Sequence, residues 1–258
     1  MPPLLREQSR RPDHLFSSCL SPIILFSDPA PPLPPPPLFF FFPPRSFFFS
    51  IPRSRHRRPF PPPLFVTPFI TQAQILAKYP HLEIVNFRGN VQSRIRKLNE
   101  GVVAGTLLAL AGLKRLDLAA EATAVLSEDE MLPAVAQGAI GIACREGDAR
   151  AGELLAALNH EPTRVAVVAE RAFLAALDGS CRTPIAGLCR QGPDGGLTFR
   201  GLIAKTDGSE ILETAASSPT FTAEEGARVG TAAGAELKGR APAGFFDWAE
   251  AQAKLDVK

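Results

Sequence analysis

Polar and apolar positions follow no period before about residue 70 of this 258-residue chain, and a clear one after it. "TQAQILAKYP" sets Ile75 and Leu76 on one helical face and stops at Pro80, which cannot continue a helix. "LEIVNF" (82–87) predicts a short apolar strand. Val91, Ile95 and Leu98 then fall at i, i+4 and i+7, the buried stripe of a helix, with Gly101 as its C′ residue. "VVAGTLLAL" and "GAIGIACR" (138–145) read as buried strands. Ala151, Leu154, Leu155 and Leu158 mark a further apolar helical face. The next helix opens at Glu161-Pro162, buries Val165, Val168, Ala169, Ala172 and Leu177, and ends at Gly179.

Strands alternating with helices indicate βαβ units and a mainly parallel sheet of four or five strands over residues 70–176. Beyond that the period changes. "TPIAGLCR", "LTFRGLIA" and "SEILETAAS" are strand-like runs separated by "QGPDGG" and "KTDG", turn sequences that join antiparallel strands. "TAEEGARVGTAAGAEL" follows as a helix with a Thr222/Glu225 capping box. Residues 177–258 therefore predict a small α+β domain, three antiparallel strands with a helix on one face.

Composition separates the first 69 residues from the rest. They hold 19 of the 26 prolines and 12 of the 18 phenylalanines, and so support neither a helix nor a central strand. The expectation there is disordered or polyproline-like chain. Three acids (Glu7, Asp13, Asp28) against several Arg and Ser fit an organelle transit peptide, and equally fit translated non-coding sequence. No run reaches the roughly 18 apolar residues of a membrane span. A net charge of +2 gives no reason to expect a nucleic acid or membrane partner. Four cysteines form no CxxC and no Cys/His cluster, so no metal site is expected.

Two places carry candidate chemistry. Arg88 follows a strand and precedes Gly89-Asn90 and a helix N-terminus, where backbone N–H groups favour anions. Arg94 lies one turn along that helix; Lys114 and Arg115 follow the next strand at the equivalent edge. They form either an anion crevice or ordinary charged helix ends, the second reading suiting Arg96 and Lys97 better. Cys181 sits in a polar loop, "DGSCRTPIAG", between two domains, as a reactive thiol or a small buried hydrophobe. Cys144 and Cys189, within apolar runs, are expected in the core.

"NFRGNVQSRIRKLNEGVVAGTLLALAGLKRL", "LPAVAQGAIGIACR", "AERAFLAALDGSCRTPIAG" and "FRGLIAKTDGSEILET" together resemble the porphobilinogen deaminase (hydroxymethylbilane synthase) family, almost continuously from Gln72 to Phe246. The closing "APAGFF" is most similar to the plant and algal branch. The resemblance implies a periplasmic-binding-protein-like α/β domain followed by the α+β domain. It makes Cys181 the thioether anchor of a dipyrromethane cofactor. It makes Arg88, Arg94 and Arg115 ligands of cofactor and substrate carboxylates, with Gln137 and Gly138 lining the same region. The implied ligands are porphobilinogen and the growing linear pyrroles; the implied setting is the plastid stroma, with the cytoplasm as the alternative, and a monomer when complete.

One departure accompanies the resemblance. The family's first domain supplies a catalytic aspartate in a segment resembling "VHSLKDVP", and residues 1–70 hold no match to it. The family's "TSSLRR"-like arginine pair is replaced by "VTPFIT", and Asp117, Asp129 and Asp178 do not match the missing motif. No catalytic residue is therefore assigned. An inactive pyrrole-carboxylate-binding remnant and a Pro-rich interaction protein stand as the alternatives.

Overall fold

In the computed structural model, residues 69–85, 89–180 and 183–247 are described, together with the backbone of Pro22–Phe26 and Leu64–Phe65. In chain order the elements are β1 (Pro22–Phe26), β2 (Leu64–Phe65), α1 (Phe69–Lys78), β3 (Ile84–Val85), α2 (Val91–Asn99), β4 (Gly105–Ala109), α3 (Leu110–Arg115) and β5 (Ala124–Val125). Then follow α4 (Ala149–Ala156), α5 (Glu161–Ala176), β6 (Ile185–Gln191), β7 (Leu197–Ala204), β8 (Ile211–Ser218) and α6 (Ala223–Arg240). The class is α/β followed by α+β.

The first sheet has the order β3-β2-β4-β1-β5. β2 runs parallel to β3 and β4, whereas β1 runs antiparallel to β4 and β5, so the sheet is mixed. This corrects the expectation that the Pro/Phe-rich segment takes no part in the fold. "PIILF" is an apolar run long enough to make a strand, and its proline stands at the first position, where a strand tolerates one. β1 and β2 flank β4 on its two sides.

α2 begins where the sequence predicts. The Asn90 side chain accepts from Ser93 N at 2.8 Å, and Gly101, at φ +68°, follows the helix in the left-handed conformation expected of a C′ glycine. Leu98, Val103, Leu108, Leu110 and Leu113 form the core between this helix and β4. Thr106, in the middle of β4, is buried, and its hydroxyl has no hydrogen-bond partner among the described residues. A buried hydroxyl left unpaired costs on the order of 1–3 kcal/mol, so Thr106→Val is expected to hold or raise the melting temperature. A fall of several degrees would show that the hydroxyl has a partner.

The second sheet is an antiparallel meander, β6-β7-β8. Its side chains alternate between two cores. Ile185, Cys189, Phe199 and Ile203 face α5 and α6, with the Phe173 and Phe199 rings edge to face at 5.1 Å. Ala186, Leu188, Leu202 and Ala204 face Ile70 and Ala73 of α1 and Leu132. Both faces are therefore covered, one by its own helices and the other by the preceding domain. The β7–β8 turn approaches α1 so closely that a Cβ on Gly208 would lie 2.5 Å from Ala77 N. Gln74 of α1 completes the junction, donating to Leu132 O and accepting from Leu132 N, each at 2.9 Å. By packing, α5 belongs with this sheet and α6, whereas the expected boundary at residue 177 leaves it on the other side.

The helix ends differently from expectation as well. Asp178, not Gly179, takes the left-handed conformation (φ +53°). Gly179 answers to packing, because a Cβ there would meet Ile185 Cδ1 at 2.5 Å.

Three further expectations are corrected. Residues 138–145 form no strand, and Ile140 and Ile142 are 76% and 58% exposed. An apolar run becomes a strand only where another strand takes up its backbone groups, and among the described residues none does. Cys144, within that run, is exposed rather than in the core, while Cys189 is buried as expected. The apolar face of α4 and the turn after it are open too, with Leu154 and Leu158 each 67% exposed.

Candidate functional site

The turn before α2 is built by glycine and asparagine. Gly89 has φ +145°, and a Cβ there would lie 2.6 Å from Ser93 Oγ. Arg94 folds back along this turn, its Nε donating to Gly89 O at 3.1 Å. Partial burial lowers the pKa of its guanidinium, which nonetheless stays charged at any physiological pH. Arg115 lies in the exposed last turn of α3, beside Lys114. The two arginine-bearing helices touch, since a Cβ on Gly112 of α3 would lie 3.8 Å from Val91 Cγ2 of α2. Arg94 and Arg115 each stand three residues beyond that contact, one helical turn away. Arg88 lies outside the described residues.

Gln137 and Gly138 are exposed at the tip of a loop that begins at Pro133. Three contacts seat this loop on β6 and α5. Gly187 N donates to Pro133 O at 3.1 Å, Ala134 bridges antiparallel to Ala186, and Ala136 N donates to Glu170 Oε2 at 2.7 Å. Ala136 takes a left-handed φ of +58°, which turns the chain toward Gln137.

Cys181 and Arg182 lie outside the described residues, but the chain on either side of them is tied. Ser180 N donates to Thr183 Oγ1 at 2.9 Å, and Thr183 N donates to Ser180 O at 3.1 Å. Thr183 and Pro184 lead directly into β6. Ala186, which bridges to Ala134, is five residues beyond Cys181, about 17 Å of fully extended chain at most. Thr183 and the Gln137 loop therefore both lie next to the first residues of β6.

Glu170 is a residue that the sequence pattern alone does not single out. Its carboxylate is buried in α5 and accepts from Ala136 N and from Cys189 N, the latter at 2.9 Å. Burial lifts its pKa to about 7 against the pull of those two donors. Burial and the Glu170 charge together push the Cys189 thiol up to about 12, so that cysteine is inert. One signal does lie in the spacing. Glu170 stands four residues after Ala166, three before Phe173 and seven before Leu177, so an acid occupies an apolar stripe.

Comparison with known proteins agrees with the segments quoted above. Residues 69–153 match the family model described as "Porphobilinogen deaminase, dipyromethane cofactor binding domain", and residues 165–239 match "Porphobilinogen deaminase, C-terminal domain". The chain is 59% identical over 176 residues to "Porphobilinogen deaminase, chloroplastic" of Oryza sativa subsp. japonica, covering 68% of this chain and 49% of that one. It is 58% identical over 177 residues to the protein of the same name from Pisum sativum, covering 68% and 48%. With "Porphobilinogen deaminase" of Paracoccus denitrificans the identity is 51% over 177 residues, covering 69% and 55%. The chain thus spans about half the length of the curated relatives it matches. The two models between them take in more than half of the sequence, one on each side of the α4–α5 connection, and the chain belongs to the porphobilinogen deaminase family.

Proposed function

We propose that this chain provides the pyrrole-binding and cofactor-anchoring part of a hydroxymethylbilane synthase of plastid tetrapyrrole synthesis. That enzyme joins four porphobilinogen molecules head to tail with loss of four ammonia molecules, and hydrolysis releases hydroxymethylbilane. The observation that carries the reading lies at the start of β6. The loop holding Gln137 and Gly138 is seated there, and Ser180 and Thr183, on either side of Cys181 and Arg182, bond to each other just ahead of it, inside segments that match the family. The chloroplastic names of the rice and pea relatives support the plastid setting.

The residues suit dipyrromethane in their chemistry. Each of its two pyrroles carries an acetate and a propionate, and Arg94 and Arg115 are permanently cationic. A bound dipyrromethane supplies the pyrrole terminus to which substrate is joined. In the complete enzyme Cys181 would hold it through a thioether, its soft sulfur nucleophile replacing the hydroxyl or amine on a pyrrole methylene, which leaves as water or ammonia. Arg94 and Arg115, joined by Arg88, receive carboxylates near the N-terminus of α2, whose N–H groups add to the attraction. Gln137 offers a carboxamide that both donates and accepts, and Gly138 leaves the backbone open to a flat ring.

Calorimetric titration of the chain with porphobilinogen tests this. Arg94→Gln and Arg115→Gln should each weaken binding about 10-fold, the worth of one charge-assisted contact. A wild-type chain that does not bind porphobilinogen, or binding indifferent to both substitutions, overturns the reading.

A further inference from the structure

Buried carboxylates in proteins are held in place by donors, and the identity of the donors shows what the carboxylate does for the fold. Those of Glu170 are two backbone amides from separate parts of the chain, Cys189 in β6 and Ala136 in the loop beyond Pro133. Among the described residues no arginine or lysine contributes to its burial-driven shift, and a titratable group that faces it is the Cys189 thiol.

The bond to Cys189 fastens α5 to β6, two elements that also share an apolar core. The loop has less to hold it. Val135 packs at the margin of that core, Ala134 makes a single bridge, and Ala136 adopts a left-handed conformation that residues other than glycine seldom take. The next two residues, Gln137 and Gly138, are exposed. Among the described residues the bond at 2.7 Å from Ala136 N to Glu170 is therefore the last to another element before the exposed tip, where Gln137 N and Ala139 N bond only within the loop, to Ala134 O and Ala136 O.

We propose that Glu170 is a positioning residue, whose carboxylate fixes the Pro133–Gly138 loop on β6 so that Gln137 and Gly138 are presented to the pyrrole ligand. The inference rests on the pyrrole-binding function proposed above. Glu170 does not touch the ligand. It acts through the direction it gives the backbone at Ala136.

Glu170→Gln separates this role from bulk stability. The carboxamide keeps the size but has one acceptor oxygen, and its NH2 must face the other amide donor, so one of the two bonds is lost. Glu170→Asp, shorter by one methylene, is the second variant and should give the same ordering at smaller amplitude. Phe173→Leu on the same helix is the control for a loosened core. Hydrogen exchange and porphobilinogen affinity are measured on all four chains. In E170Q, exchange at residues 136–139 should rise at least 10-fold more than in the strands β7 and β8, with affinity falling about 10-fold. Phe173→Leu should lower the melting temperature while leaving both readouts near wild type. Unchanged exchange at the loop in E170Q overturns the proposal, as does faster exchange with unchanged affinity. A wild-type chain that fails to bind porphobilinogen sinks the functional reading and the presenting role with it. The exchange data then report only whether Glu170 holds the loop.

Discussion

Expressed as written, the chain should carry no dipyrromethane on Cys181 and should make no hydroxymethylbilane at a detectable rate. The family places its acid/base aspartate in a "VHSLKDVP"-like segment and a further arginine pair just before the stretch that is α1 here. Residues 1–70 match neither. Positioned proton transfer is typically worth 10²–10⁴-fold, and loss of the paired arginines removes carboxylate ligands as well. Binding is expected to survive these losses, because Arg94 and Arg115 lie in elements that fold here, and turnover is not. Intact mass of the purified chain decides the first half of the prediction, with a dipyrromethane adduct as the adverse result. Consumption of porphobilinogen over hours decides the second.

The largest stability effect is expected at Gly230. α5 and α6 cross at a stripe of small residues, Gly226, Gly230 and Gly234, one turn apart along α6. A Cβ at Gly230 would lie 2.0 Å from Ala169 O and 3.1 Å from Phe173 N, both backbone atoms of α5. A methyl group there cannot be absorbed by a rotamer change; the helices must separate. Overpacking usually costs about 1–3 kcal/mol, and a clash with backbone belongs at or above the top of that range. Gly230→Ala is therefore expected to cost at least ~3 kcal/mol and to lower the melting temperature by on the order of 10 °C. Gly239→Ala is the control, since a Cβ there would meet nothing within 4 Å and the residue is near the end of the same helix. It should be neutral or stabilise by up to ~1 kcal/mol. Equal melting temperatures for the two variants would show that the crossing can yield.

The C-terminal domain was legible because its code is local. Alternation in "IAGLCR" and "LTFRGLIA" marks both faces of β6 and β7, and the Asp-Gly turns set their order. What the alternation leaves open is the second cover. Apolar residues on both faces require two partners, and α1 lies more than a hundred residues away in the chain. The first sheet was legible in part. The stripe of α2 and the run of β4 are plain, but β1 comes from a segment whose composition argues against strands. Five apolar residues there suffice because β4 supplies the partner. The reverse holds for "GAIGIACR", an apolar run that pairs with no strand among the described residues. For the proposed site, motif segments single out the arginines and the cysteine as candidates, whereas Glu170 bonds to backbone amides, which leave no mark on residue type.

That solitary run has a consequence outside the single molecule. Ile140 and Ile142 stand exposed outside any strand, and Leu154 of α4 and Leu158 of the turn after it, both open, follow about ten residues on. Apolar backbone that no strand has taken up is a template for one from another molecule, and two copies of the chain can serve each other. Encounter between copies grows with the square of concentration, while folding of each chain does not. The yield of dispersed protein should accordingly fall as expression rises, and dilution or slow synthesis should matter more to its recovery than added thermal stability.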